Sequence, residues 1–260
     1  MFAQNFAFSL PARVNLVGGG GKTSLILKLL DEFSESVPVI YTTTTRIHPP
    51  HPLEGLVVIS SDNEAYLEML LERAVLSWCS GRKFVVTRLS SAPDLLRGVE
   101  RSFADRLDRV LFPLILNEAD GARSMSLKMP REGEPVLMAS ANYLVPVIGL
   151  DCLNQPLGPQ TLFRWELASK RFKLQAGERL VPELAASILL HPHGVCKGWK
   201  PGMHIIPFIN KADSDSDEPA ARSLAQALMH NGNFPVERVV WGSAQNARAA
   251  FLKGTADTGR

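Results

Sequence analysis

Four consecutive glycines, Gly18-Gly19-Gly20-Gly21, followed by Lys22-Thr23, constrain this chain more than any other feature. Residues 13–17 before them read as a buried strand. After them, Leu25, Ile26, Leu29, Leu30 and Phe33 recur at helical spacing over 23–33. A strand, a glycine turn and a Lys-Thr helix start form the arrangement that cradles polyphosphate. Glycine lets backbone N–H groups turn inward without a Cβ clash. Those amides, with the positive end of the helix, stabilise an anion. Lys22 then reaches the β- and γ-phosphates, and Thr23 offers its hydroxyl to Mg²⁺. The expected phosphate set is Gly18, Gly19, Gly20, Gly21, Lys22, Thr23 and Ser24. The usual phosphate-loop pattern has a glycine where this chain has Leu16, so the loop is a glycine-packed variant. The plainer alternative is a flexible turn between strand and helix.

The pattern around that motif sets the fold class. Short apolar runs at 38–41, 56–59, 83–87, 109–116, 143–148, 204–209 and 238–241 read as strands. Helical patterns fall at 93–107, 183–190 and 219–230, and from a cap at Asp62 or Asn63 to about residue 79. Near-continuous apolar strands alternating with helices predict an α/β fold in three layers, with a mostly parallel sheet covered on both faces. Residues 124–202, rich in proline and glycine, read as an irregular middle insertion carrying a substrate or partner surface. One domain is expected over 1–253, followed by a frayed polar tail at 254–260. The acidic loop 214–218 reads as a solvated turn before the next helix.

Composition is compatible with this fold. The chain is 260 residues long and 45% hydrophobic, enough for a sizeable core. Its net charge of +2 calls for neither a nucleic-acid nor an anionic-membrane partner. Cys79, Cys152 and Cys196 are odd in number and far apart, which suits a reducing cytosol rather than a disulfide framework. No apolar run approaches the roughly 20 residues of a membrane span. The N-terminus lacks the basic front and long apolar stretch of a signal peptide.

A Mg²⁺ site also needs a carboxylate at the end of a buried strand. Glu118 and Asp120 follow the apolar run 109–116, and a spacing of two puts both on one side if the strand continues. Asp120 is the expected ligand of the metal or of its water, and Glu118 the residue that orients attacking water or binds metal. The alternative is an acidic pair that merely ends a strand. Arg123, just beyond, is the best-placed arginine to neutralise phosphate charge, ahead of Arg46 and Lys128. Thr45, last of the run 42–45, is a candidate γ-phosphate sensor or metal aid, although four threonines also serve as β-branched strand filler.

Asn210-Lys211-Ala212-Asp213 follows an apolar strand and has the N-K-x-D form of a guanine site. There the Asp213 carboxylate accepts from guanine N1–H and the exocyclic amine. Adenine has no matching donor pair and leaves the carboxylate unpaired. Gly242-Ser243-Ala244 ends a further strand and is similar to the Ser-Ala loop that completes such pockets. The competing possibility is that Asn210 and Asp213 only cap a turn. GTP is therefore favoured over ATP. His191, His193 and Cys196 hold soft ligands at close spacing, but a fourth ligand is not identifiable and a loop after a helix is the plainer explanation. His48 and His51 are weaker candidates still.

Taken together, these motifs resemble the YqeC-type proteins, a family associated with selenium-dependent molybdenum hydroxylases as accessory proteins. The matching residues are Val17-Gly18 through Thr23-Ser24, Thr42 to Thr45, Glu118-Ala119-Asp120-Gly121-Ala122-Arg123, Leu127-Lys128-x-Pro130, Glu134-Pro135, Ile148-Gly149-Leu150-Asp151 and Asn210 to Asp213. The resemblance implies a P-loop NTPase fold and a metalloenzyme or cofactor-maturation partner. Metal-insertion GTPases resemble the same motif order, but their metal-binding segments are not evident here. Three activities follow as expectations: a Mg²⁺-dependent NTPase switch, an ATP-dependent small-molecule kinase, or a nucleotide-gated module that does not hydrolyse. Oligomeric state is not legible.

Overall fold

The computed structural model describes residues 1–50, 55–76, 82–90, 92, 95–107 and 112–254. The first half runs β1 (Ala12–Gly18), α1 (Lys22–Ser34), β2 (Val39–Thr43), β3 (Leu56–Ser60), α2 (Glu64–Leu76), β4 (Lys83–Thr87), α3 (Arg101–Arg106) and β5 (Leu114–Glu118). The middle adds β6 (Leu127–Lys128), β7 (Tyr143–Gly149), β8 (Leu162–Phe163), α4 (Trp165–Phe172) and α5 (Pro182–Leu189). The chain closes with β9 (His204–Ile205), β10 (Phe208–Asn210), α6 (Glu218–Met229), β11 (Arg238–Ser243) and β12 (Arg248–Lys253).

Ten of these strands make one sheet in the order β12-β11-β10-β7-β1-β5-β2-β4-β3, with β9 added beside β7. All pairings in it are parallel except β11 with β12. Alternate side chains separate into two faces, as the pleat requires. On one face Val14, Leu16, Leu116, Val145, Val147, Phe208 and Val240 pack with Leu25, Ile26, Leu29 and Leu30 of α1. On the other, Ile40, Phe84, Val86 and Ile115 pack with residues of α2 and α3. Val17, Leu144, Ile148, Ile209 and Trp241 of that same face pack with α5 and α6. The architecture is three-layered, mostly parallel α/β of P-loop-like form. Between the two back-face clusters lies a polar seam. Asn117 Nδ2 donates to Asn15 Oδ1 across the β1–β5 register at 2.9 Å, and Asn15 exchanges two hydrogen bonds with the Met138 backbone.

Several elements differ from their sequence expectations for identifiable reasons. The helix expected over 93–107 is confined to α3. Leu96 and Arg97 instead bridge Ile47 and Arg88, and the Val99 amide donates to Thr43 O. The strand expected over 204–209 is split, because Pro207 has no N–H for the ladder. Both parts keep one register against β7, Leu144↔Ile205 and Val147↔Phe208. β5 begins later and ends later than the run 109–116, of which 109–111 lie outside the described residues. Asn63 does cap α2, its Oδ1 accepting from the Tyr66 amide at 3.2 Å. The segment 124–202 supplies β7, buried along its whole length between β1 and β10. It also supplies α4, which no sequence pattern marked. The expected tail beyond residue 254 lies outside the described residues. Among the described residues no helix is long and apolar enough to cross a membrane.

The chain leaves β1 towards β2 on one side and returns to β7 on the other, with β5 slotted between β1 and β2. That is the switch point at which open α/β sheets place ligands beyond the carboxyl ends of their strands. Phe208 is fully buried and meets the rings of Phe2 and Phe6 at 5.7 and 5.5 Å. Phe208→Ala should cost about 3–5 kcal/mol. For a chain of this size that is a fall in Tm of roughly 10 °C or more by scanning calorimetry.

Candidate functional site

The glycine loop is shaped by close backbone approach. At Gly20 (φ +79°) a Cβ would overlap the Gly149 amide, and at Gly18 (φ +95°) it would overlap Val147 O. Only glycine fits both the space and the left-handed backbone. Gly19 N donates to Val147 O and Gly20 N to Met125 O, each at 2.9 Å, so these two amides anchor the loop to β7 and to the turn before β6. The first turn of α1 beyond them has amides with no intrahelical acceptor, which an anion could use. Lys22, Thr23 and Ser24 occupy that turn.

The carboxylates divide into two environments. β5 ends at Glu118, so Asp120 is no longer on strand geometry and turns back towards β1. Asp120 is 0% exposed, accepts the Gly18 amide at 3.1 and 3.2 Å, and lies 3.2 Å from Lys22 Nζ and 3.0 Å from Lys128 Nζ. Glu118 instead faces the helix start. Its Oε2 accepts Thr23 Oγ1–H at 3.0 Å and the Tyr41 hydroxyl at 2.7 Å, and Lys22 Nζ is 3.8 Å from Oε1. Burial, then the adjacent Glu118 carboxylate, push the Tyr41 phenol well above its ordinary value. Lys22 also donates to Gly18 O at 2.6 Å. The structure thus brings Lys22, Thr23, Glu118 and Asp120 together, with Glu118 the carboxylate beside Thr23.

A buried charge chain extends from Asp120. Lys128 Nζ donates to Gly121 O at 2.6 Å and lies 3.2 Å from Glu134 Oε2. Arg164 forms a two-pronged pair with Glu134 at 2.6 and 2.9 Å, and its guanidinium stacks over Phe163. No sequence pattern marks Tyr41 or Arg164, and Glu134 enters the sequence reading only within the Glu134-Pro135 stretch of the family resemblance, with no role assigned. Lys128, considered there as a phosphate neutraliser, is fully enclosed by this chain of charges.

On the other side, Asn210 ties two loops together. Its Nδ2 donates to Gly20 O at 2.7 Å, and its Oδ1 accepts the Ala244 amide at 3.0 Å. Ser243 is buried, its Oγ accepting the Asn246 amide. Lys211, in left-handed backbone (φ +63°), reaches Ser126 Oγ and Asp151 Oδ2, both at 2.8 Å. Asp213 is exposed at the end of this turn. A cleft of about 850 Å³ opens over the glycine loop, lined among others by Lys22, Thr23, Glu118, Arg123 and Lys211. Arg123 is exposed, with φ +48° and its guanidinium over the Phe163 ring at 5.5 Å. Thr45 lies away from this cleft and lines a neighbouring one.

The histidine and cysteine candidates sit elsewhere. His191 Nδ1 accepts the His193 amide at 3.0 Å, and its ring packs on Phe172. Cys196 is buried, its Sγ directed at Leu189 O, and burial pushes its thiol up. Burial likewise pushes Cys152 up to about 12. Among the described residues no three histidine, cysteine or acidic side chains gather into one cluster that could hold a metal ion. His51 and Cys79 lie outside the described residues.

The model of the YqeC protein family matches residues 14–166, more than half of the chain. The chain belongs to the YqeC family. It is similar to the uncharacterized protein YqeC of Escherichia coli (strain K12), with 29% identity over 226 residues, covering 85% of this chain and 84% of that protein. No solved structure matches. The YqeC match spans the glycine loop, Glu118, Asp120, Lys128, Glu134 and Arg164, whereas Asn210 to Asp213 and Ser243-Ala244 fall beyond it.

Burial alone would raise the Glu134 carboxyl, but hydrogen bonds and charge from Arg164 and Lys128 outweigh it and hold the group at about 2, below its ordinary 4.5. A depressed carboxylate contributes stability that is fully present above its unfolded pKa and is lost as pH falls through the folded one. Glu134→Gln should therefore lower Tm most above pH 5. The gap to wild type should narrow steadily as pH drops from 4.5 towards 2, as measured by calorimetry over that range.

Proposed function

We propose that this chain binds a Mg²⁺–nucleoside triphosphate in the glycine-loop cleft and hydrolyses it, with guanine favoured over adenine. We further propose that it serves as an accessory or maturation switch for a molybdenum- or selenium-type metalloenzyme. The observation that carries the first reading is the convergence of Lys22, Thr23 and Glu118 on the first turn of α1, at the mouth of an open cleft. The accessory role rests on the family resemblance.

In this reading, first-turn amides of α1 and the helix dipole hold the phosphates. Lys22 exchanges its hydrogen bond to Gly18 O for phosphate oxygens, while Asp120, 3.2 Å from Nζ, holds the ammonium group from its inner side. A hydroxyl beside a carboxylate is an oxygen donor pair suited to a hard cation. Thr23 and Glu118 are thus the residues to hold Mg²⁺, which would neutralise charge on the phosphate oxygens when bound. Arg123 supplies a further positive charge at the cleft rim. Tyr41 keeps Glu118 oriented through its 2.7 Å hydrogen bond. Asn210 makes the base-side loops and the phosphate loop one unit, which supports the guanine reading and leaves the Asp213 carboxylate to accept from the base.

Calorimetry with non-hydrolysable GTP and ATP analogues and Mg²⁺ tests this. Wild type should prefer GTP. Asp213→Ala should lose that preference, a drop in GTP affinity of roughly ten- to a hundredfold for a lost charge-assisted pair. Lys22→Ala should abolish phosphate release in a turnover assay. Equal affinity of wild type for both bases would overturn the guanine assignment, and equal turnover by Lys22→Ala would overturn the hydrolytic one. The accessory role predicts that cells lacking this chain contain a molybdenum hydroxylase with reduced activity at unchanged protein level.

A further inference from the structure

A second cleft of about 740 Å³ opens beside the first, on the far side of the Thr44–Arg46 turn. Four arginines line it: Arg46, Arg88, Arg97 and Arg131. They come from four separate stretches of chain, and backbone pairing brings three of them together. Arg88 and Arg97 are antiparallel bridge partners, and Leu96 bridges Ile47 next to Arg46. Gly98 packs so tightly on the Thr44-Thr45 backbone that a Cβ there would overlap it, which fixes the 95–99 segment against the turn. The convergence is therefore held by backbone geometry, beyond what flexible side chains alone would give.

The cleft also contains Glu100, Glu132 and Glu134. Glu134 is saturated by Lys128, Arg131 and Arg164, and Glu100 is paired with Arg88. Asp62 pairs with Arg88 and Arg97 at 3.3 and 3.5 Å. These bonds use Nε and Nη1 of Arg88, Nη1 of Arg97 and Nε of Arg131. A guanidinium carries five N–H donors in a planar fork, so each keeps donors matched to a tetrahedral oxyanion. Val136 adds an apolar wall, and the volume lies in the range of small-molecule sites.

We infer that this arginine-lined cleft is a second binding site, for an organic phosphate monoester held next to the nucleotide cleft. A phosphate monoester offers three oxygens and nearly two charges to several forks at once, which a carboxylate does not. The site's existence is independent of the nucleotide reading; only its role, as cargo or effector of the switch, rests on that reading. Arg46 lines both clefts and is the shared wall between them.

Phenyl phosphate is the probe. It is titrated by calorimetry into the full chain saturated with Mg²⁺–GDP, and separately into nucleotide-free Lys22→Ala protein. One phenyl phosphate per chain is expected in both, with benzoate at least tenfold weaker. The double variant Arg97→Gln, Arg131→Gln should bind phenyl phosphate at least tenfold more weakly while its GDP affinity stays within twofold. Arg97→Lys, which keeps the charge but not the fork, should fall in between and guards against a folding artefact. Absence of saturable phenyl phosphate binding, its displacement by GDP, equal affinity for benzoate, or undiminished affinity in the folded double variant would each overturn the proposal. Failure of GDP alone to bind would sink the nucleotide reading and leave the phenyl phosphate result intact.

Discussion

Asp120 is a carboxylate with no exposed surface, and a buried charge of that kind is tolerated only when it is paired and hydrogen-bonded. Its partners are the Gly18 amide, Lys22 and Lys128, which belong to the glycine loop, the helix after it and the short β6 strand. Through Lys128 the same charge reaches Glu134 and Arg164, and so the strand–helix pair β8–α4. Loop conformation, lysine position and the packing of the middle segment are thus linked by one electrostatic cluster. Removing Asp120 would leave the buried Lys22 and Lys128 ammonium groups without their shared counter-charge, a change that typically destabilises by about 3–5 kcal/mol.

The fold was legible wherever the signal was local. Hydrophobic period gave β1, α1, β2, β3, β4, β7, α5, α6 and β11 within a few residues, and the sheet's parallel character followed from their alternation. α4 escaped because only Ala168 in it is buried, and β12 because it is a partly exposed antiparallel edge whose four-residue apolar run, Ala249 to Leu252, is half alanine, a residue depleted in strands. The shortened α3 was lost to a tertiary effect: residues 96–99 are consumed by bonds to Ile47 and Thr43, about fifty positions earlier, and to Arg88.

The site was legible in part, for the same physical reason. The glycine run, the acidic pair and the Asn-Lys-x-Asp turn are contiguous in sequence and were recognisable as such. The respective positions of Glu118 and Asp120 were not, because a spacing of two implies a common face only while the strand persists, and β5 stops at Glu118. Tyr41 and Arg164 join the cluster from segments tens of residues away, so no window of sequence contains them with it. The arginine cleft is invisible for the same reason: its four guanidinium groups meet only after the 43–47, 88 and 95–99 segments have paired.

The position of β7 has a bearing on how the chain acquires this shape. β1 is flanked by β5 and β7, so its two neighbours are synthesised about a hundred residues or more after it. During translation β1 and the apolar face of α1 remain unsheltered until those strands emerge. Every central pairing closes a long loop, the kind of topology that folds slowly and exposes sticky intermediates. A ribosome pausing before residue 143 would hold a nascent chain whose central strand β1 has one open edge, a natural target for chaperone capture.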